Sequence, residues 1–159
     1  PLSERVSTFN IMSKQLKLKI GTPEHLVLEE VVDQVSLPTT LGEITVLPEH
    51  MPLITDLTTG DVVAVTRGEH VPFAVVGGFL EVKKGEDNMT EVAVLADFAE
   101  HVGELTEEKI AEARKMAEEM KHKMLNKEIV DFEHFETELE RSLTRVKIAD
   151  KWRTKKYRK

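Results

Sequence analysis

The chain has no cysteine in its 159 residues. Disulfides, thiolate metal sites and a Cys nucleophile are therefore excluded, and a reducing compartment suits it. Aromatic residues are sparse at 5%, so a core must be built from Val, Leu and Ile. No stretch approaches the roughly 18 consecutive apolar residues of a membrane-spanning helix. Net positive charge is lacking too: a formal balance of −7 argues against nucleic acid as a partner. Pro1 to Gln15 is polar and mixed, without the apolar run of a secretory signal. Its leading Pro points to a removed initiator Met, unless Met12 is the original start.

What is present is a change of period along the chain. From Lys17 to about Ala99, short runs of Val, Leu and Ile are divided by Gly, Pro and Asp at intervals of about ten residues. Lys17–Ile20, Val31–Leu37, Glu43–Leu47, Asp61–Thr66, Val71–Val76, Phe79–Lys83 and Thr90–Leu95 read as strands, the last of them closing the set. Such spacing predicts an antiparallel sandwich or barrel. Past Gly103 the period becomes helical. Thr106 is a natural N-cap, with Glu107 and Glu108 in the first turn. Ile110, Ala113, Ala117, Met120 and Met124 form one narrow apolar stripe. After a break at 126–131, Phe132, Phe135, Leu139, Val146 and Ala149 form a second, with Leu143 beside it. The predicted fold is α+β: an N-terminal antiparallel β-sandwich or barrel, then a C-terminal antiparallel two-helix hairpin. The expected divisions are an unordered extension over 1–15, the sandwich over 16–102, the hairpin over 103–150 and a basic tail over 151–159. Small Ala at the centre of the first stripe buries little area, so the hairpin is expected to hold weakly to itself and to be able to detach or extend.

Charge is unevenly spread. Residues 151–159 hold six of the 22 basic residues and no acid, which leaves residues 1–150 with 16 bases against 29 acids, a net of −13. An active site is harder to find. No Gly-x-x-x-x-Gly-Lys loop is present, and none of the five serines sits in Gly-x-Ser-x-Gly. None of the six histidines is paired at the i, i+4 spacing of a helical metal site, and no metal is expected. The acids are dispersed along helix faces with i, i+4 partners. The segment Gly42–Leu53 stands out. Pro48 and Pro52 flank His50, which makes a stiff loop that presents Glu49 and His50 outward.

That segment, Gly-Glu-x-x-x-x-Pro-x-His-x-Pro-Leu, resembles the signature of the ATP synthase epsilon subunit family (delta in mitochondria). The likeness continues through Thr59-Gly60-Asp61-Val62, Val76-Gly77-Gly78-Phe79-Leu80-Glu81-Val82 and Val92-Ala93-Val94-Leu95-Ala96-Asp97. It spans Leu16 to about Lys156 and places two helices in the family's order. Thr45 stands where the family often has Gly.

The resemblance implies a non-catalytic rotor part of a proton- or sodium-translocating F-type ATP synthase, peripheral on the cytoplasmic face of the bacterial inner membrane and not inserted in it. One sandwich face would bind the gamma subunit. A loop bearing Glu43, Pro48, Glu49, His50 and Met51 would face the c-ring. The hairpin would either fold on the sandwich or extend into the catalytic head and inhibit ATP hydrolysis. Its basic tip (Lys151, Arg153, Lys155, Lys156 and Arg158, with Lys159) would then pair with the catalytic beta subunits. Some members bind ATP through Ile/Leu-Asp-x-x-Arg-Ala at the first helix start. Here that stretch is Leu105-Thr106-Glu107-Glu108-Lys109-Ile110. Thr106 and Lys109 are the matching candidate contacts, but Lys lacks the planar fork that grips phosphate. No cofactor is expected. The alternative function is a free-standing ATP-binding sensor of the same fold, separable by an ATP titration.

Overall fold

The computed structural model describes residues 14–127 and 131–156, and the side chains of all of these except 132 and 154–156. Ten strands come first: β1 (Leu16–Gly21), β2 (Leu26–Val32), β3 (Gln34–Thr39), β4 (Gly42–Val46), β5 (Leu53–Asp56), β6 (Gly60–Thr66), β7 (Glu69–Val76), β8 (Phe79–Lys84), β9 (Thr90–Leu95) and β10 (Phe98–His101). They form two five-stranded sheets, in the orders β2-β1-β9-β8-β5 and β10-β7-β6-β3-β4. We call these the first and second sheets. All neighbours run antiparallel except β1 and β9, which are parallel. A single 3₁₀ turn at Val102–Glu104 then leads into α1 (Glu107–Leu125) and α2 (Phe132–Lys156). The α+β architecture is thus a sandwich followed by a helical hairpin.

Alternation drives the sandwich. In β1, Leu16, Leu18 and Ile20 are fully buried, while Lys17 and Lys19 reach Glu29 on the outer face. Side chains of period two from both sheets meet in one core, built from Leu, Val, Ile and Ala around one aromatic ring, that of Phe73. The stretch expected as one strand over Val31–Leu37 is two. Asp33 divides it, and the chain passes there from the first sheet to the second. The Asp33 carboxylate accepts from the Gln15 side-chain amide and from the Arg67 backbone N–H. These bonds hold its pKa below the ordinary aspartate range, the Gln15 amide most strongly. Gln15, expected to close an unordered extension, is therefore bonded to the sandwich; residues 1–13 lie outside the described residues.

The helices start and end where local chemistry dictates. Thr106 caps α1, its hydroxyl oxygen accepting from the Lys109 N–H, with Glu107 and Glu108 at the positive end. Asn126 closes it. Ile110, Ala113 and Ala117 are buried, Met120 is half-buried and Met124 is exposed, so burial fades toward the far end of the hairpin. In α2, Phe135 and Ala149 are buried as expected, together with Ser142, Thr144 and Ile148, while Leu143 is exposed. Residues 151–156 of the expected basic tail continue α2, which runs to Lys156.

Gly78 fixes the β7–β8 turn. Its φ is +106°, and a Cβ there would collide with the Leu95 carbonyl. Its own carbonyl accepts from the Leu57 N–H at 2.9 Å. Gly68 also has positive φ, +77°, but open space around it. Gly78→Ala should therefore lower unfolding stability by about 3 kcal/mol or more, and Gly68→Ala by only about 1 kcal/mol, in urea titrations of the full chain. Equal losses would mean that φ alone, and not the close approach to Leu95, sets the cost.

Candidate functional site

The outer face of the second sheet carries the hairpin. Alternation puts Val62, Ala64, Phe73 and Val75 of β6 and β7 inward, so Asp61, Ala74 and Val76 point outward. Asp61, Ala74 and Glu100 lie in register across β6, β7 and β10. Ala74 is small and fully buried, which lets α2 approach the sheet. On either side of it stand the two carboxylates.

Each carboxylate receives cations from the helices. Glu100 accepts from Arg145 Nε at 2.7 Å, with Lys109 Nζ at 3.8 Å. Arg145 and Arg141 also lie over the Phe98 ring, at 4.8 and 5.4 Å from its centre. Asp61 is only 8% exposed. It accepts two contacts from Lys151 Nζ, at 2.8 and 2.9 Å, and one from the Trp152 indole N–H at 2.9 Å. The Trp152 ring lies 6.5 Å from that of His70 on β7. Arg153 pairs with Glu107 at the start of α1, at 2.6 Å. Lys151 and Arg153, singled out in the sequence as parts of a basic tip, are thus engaged within the chain. The side chains of Lys155 and Lys156, and Arg158 and Lys159 altogether, lie outside the described residues. Asp61, Glu100, Arg145 and Trp152 had no local signal to mark them as a unit, because the partners are 45 to 91 residues apart.

The first sheet has a bare outer face. Registers align Asp56, Phe79, Leu95, Gly21 and Leu26 in one row across all five strands. Phe79, Leu95 and Leu26 are all exposed large apolar residues, and Ile54 joins them from β5. At the same end of the sandwich the β3–β4 turn presents Leu41, 92% exposed, next to Gly42 and Glu43. The Thr40 N–H bonds to the Asp56 carbonyl there.

The residues expected to share one loop surface divide into two groups. Glu43 sits at the β3–β4 turn end of β4, while Pro48, Glu49, His50 and Met51 follow its other end. A strand rises about 3.3 Å per residue, so roughly 13 Å separates Glu43 from the start of that loop. The loop itself is tightly held. Glu49 has φ +68°, and its N–H donates to the buried Thr90 hydroxyl at 2.7 Å. The His50 N–H bonds to the Leu47 carbonyl, and His50 Nδ1, 2.7 Å from the Met51 carbonyl, must carry the proton. Lys14 donates to the Glu49 carboxylate at 2.6 Å and draws its pKa below the ordinary range. Met51 is 72% exposed.

The candidate nucleotide contacts are engaged within the chain. Thr106 is committed as the α1 cap. Lys109 faces a cleft with Arg145, but both cations are met by Glu100, and Glu112 lines the same cleft. A polyanion would meet two carboxylates there. Among the described residues, no group of three or more His, Asp or Glu could hold a metal ion.

Residues 15–102 match the model of the delta/epsilon chain β-sandwich domain of ATP synthase. An ATP synthase epsilon chain from Herpetosiphon aurantiacus is 37% identical over 84% of this chain and 93% of its own length. One from Dehalococcoides mccartyi is 40% identical over 87% and 95%. Among solved structures, a chain of the Euglena gracilis mitochondrial ATP synthase, in an assembly of OSCP, F1 and c-ring, superposes with a TM-score of 0.57 at 21% identity. That match covers 90% of this chain and 82% of the other, and carries the likeness of fold. With a matching sandwich over more than half its length, and relatives matched almost end to end, the chain belongs to the ATP synthase delta/epsilon family, whose members are non-catalytic subunits of that complex.

Proposed function

We propose that this chain is the central-stalk epsilon subunit of a proton- or sodium-translocating F-type ATP synthase, joining gamma to the c-ring and restraining ATP hydrolysis through its C-terminal helices. The observation that carries the reading is the division of labour between the two sheets: one outer face bears an exposed apolar row at one end, beside the Lys17, Lys19 and Glu29 pairs, and the other holds a helical hairpin through charges.

The apolar row Phe79, Leu95 and Leu26 is assigned to gamma. A rotor contact must survive torque, and exposed hydrocarbon in register across a sheet supplies non-directional attachment that a rigid core supports. Glu43, with Leu41 beside it, is assigned to the c-ring. The Pro48–Met51 loop, at the other end of β4, belongs to a separate contact in the stalk. The hairpin is the regulatory arm, and its basic tip is the part that engages the catalytic beta subunits. The location is peripheral, on the cytoplasmic face of the bacterial inner membrane; among the described residues, no helix is long and apolar enough to cross it. This mechanism includes no ATP step, a reading supported by Glu100 facing both Lys109 at the start of α1 and Arg145 on α2.

Ending the chain at His101 should raise hydrolysis by the assembled catalytic head while gamma still binds; an unchanged rate with gamma bound would leave an adapter with no inhibitory arm. Phe79→Ser, an exposed position, should weaken gamma binding about tenfold without lowering the melting temperature, and unaltered affinity would move the gamma contact elsewhere. Raising salt to about 1 M shortens the screening length to about 3 Å. Amide exchange in α2 should then quicken while β1 and β9 stay protected, and equal protection at low and high salt would mean the hairpin is not held by charge.

A further inference from the structure

We infer that Asp61 on β6 is a lock for the basic end of α2, so that the arm is released only when another acidic surface takes over Lys151 and its neighbours. The inference rests on the reading of the hairpin as a mobile arm and names the group that controls it.

Four features of the molecule support the lock. Asp61 is nearly enclosed, and its carboxylate is filled by donors from a single turn of α2, the Lys151 ammonium and the Trp152 indole. While the arm is closed, this enclosed carboxylate depends on those donors for the hydrogen bonds that water would otherwise supply. Lys151 is half in water by comparison, so it can change partners readily. Two other ion pairs near the tip, Arg153 to Glu107 and Arg114 to Asp150, join α2 to α1 within the hairpin and so do not tie it to the sandwich. Among the described residues, Asp61 is therefore the charged group of the sandwich that holds the tip, with His70 beside the Trp152 ring.

The lock also makes closure and inhibition mutually exclusive. Lys151 cannot sit 2.8 Å from Asp61 and pair with an acidic segment of another subunit at once. The resting state is thus set by a contest between Asp61 and the partner's carboxylates for the same ammonium. Trp152 tilts that contest, since its N–H recognises Asp61 while its ring packs beside His70. In the open arm Asp61 regains water, so the contest costs each side little and the switch can run in both directions.

The chain has no native cysteine, so two can be introduced at exposed Glu86 and Lys147 and labelled as a distance pair. In the full-length chain, Asp61→Asn should raise the ratio of open to closed arm on the order of tenfold, because one charge-assisted acceptor is lost. Lys151→Met should do the same. The double variant should open no further than either single one, since both remove the same contact. An unchanged distance in Asp61→Asn, or effects of the two substitutions that simply add, would overturn the lock. Melting of the sandwich, followed in the same samples, separates release of the arm from a general loss of fold; opening that appears only with a lowered sandwich melting temperature also overturns it. Assembled with the catalytic head, Asp61→Asn should lower ATP hydrolysis relative to the native chain. If the arm opens and hydrolysis does not fall, the lock stands and the inhibitory role of the arm fails.

Discussion

β6 and β7 have to face two ways at once, and the rest of the molecule follows from how they do it. Their inward residues, Val62, Ala64, Phe73 and Val75, close the core between the sheets. Their outward residues, Asp61, Ala74 and Val76, form the floor beneath the hairpin. A strand's side chains alternate strictly, so a slip of one residue would drive Asp61 into the core and lift Val62 into the helix interface. The core thus fixes the register, and the register fixes where the hairpin can bind. Gly78, Leu57 and Leu95 hold the end of β7 so that this register does not drift.

Two grades of cohesion result. Within the sandwich, attachment is hydrocarbon against hydrocarbon, worth about 25 cal/mol for each Å² removed from water. Between sandwich and hairpin, ion pairs and cation–π contacts join a small apolar floor of Ala74 and Val76: Arg145 and Arg141 on Phe98, Arg145 and Lys109 near Glu100, Lys151 on Asp61. Deleting one member of such a pair strands the other and is costly. Separating the two bodies intact is different. Both members are rehydrated, and the net loss per pair falls toward the roughly 1 kcal/mol of exposed pairs. The hairpin itself adds little, since Ala113 and Ala117 occupy the middle of α1 where larger residues would bury more. A body packed by hydrocarbon and a hairpin docked largely through charge therefore come from one chain.

The sandwich was legible because alternation is local. Leu16, Leu18 and Ile20 announce their face within five residues. Where alternation is weak the reading fails. Phe98–His101 is short and half polar, and Leu53–Asp56 is four residues following a Pro, so β10 and β5 went unseen. β2 opens Leu-Val-Leu and continues Glu-Glu, which has no period, and it merged with β3 across Asp33. For the helices, one apolar stripe predicts one buried face. α2 buries two. Phe135, Ser142 and Ala149 lie toward α1, while Arg145, Lys151 and Trp152 turn to the sheet. The second face is made of residues that any periodicity assigns to solvent. Only the partners, Glu100 and Asp61, reveal it. Glu43 and Pro48–Met51 lie at opposite ends of β4, unseen for a related reason: nearness in sequence hid a whole strand between them.

Why the arm is held by charge can be argued from what release demands. An arm docked by hydrocarbon exposes that area when it leaves, and the cost rises with every Å². An arm docked by ion pairs exposes groups that water accepts, and its cations remain ready for another carboxylate. The direction of exchange is then set by which acidic surface presents the better geometry, and not by the strength of the sandwich. Asp61 presents a good one, with both carboxylate oxygens occupied and an indole donor that an ordinary acidic patch would lack. That asymmetry favours the closed arm in the isolated chain. In the proposed switch, opening then falls to a partner that supplies several acids together, whose combined field can offset what a single enclosed carboxylate provides.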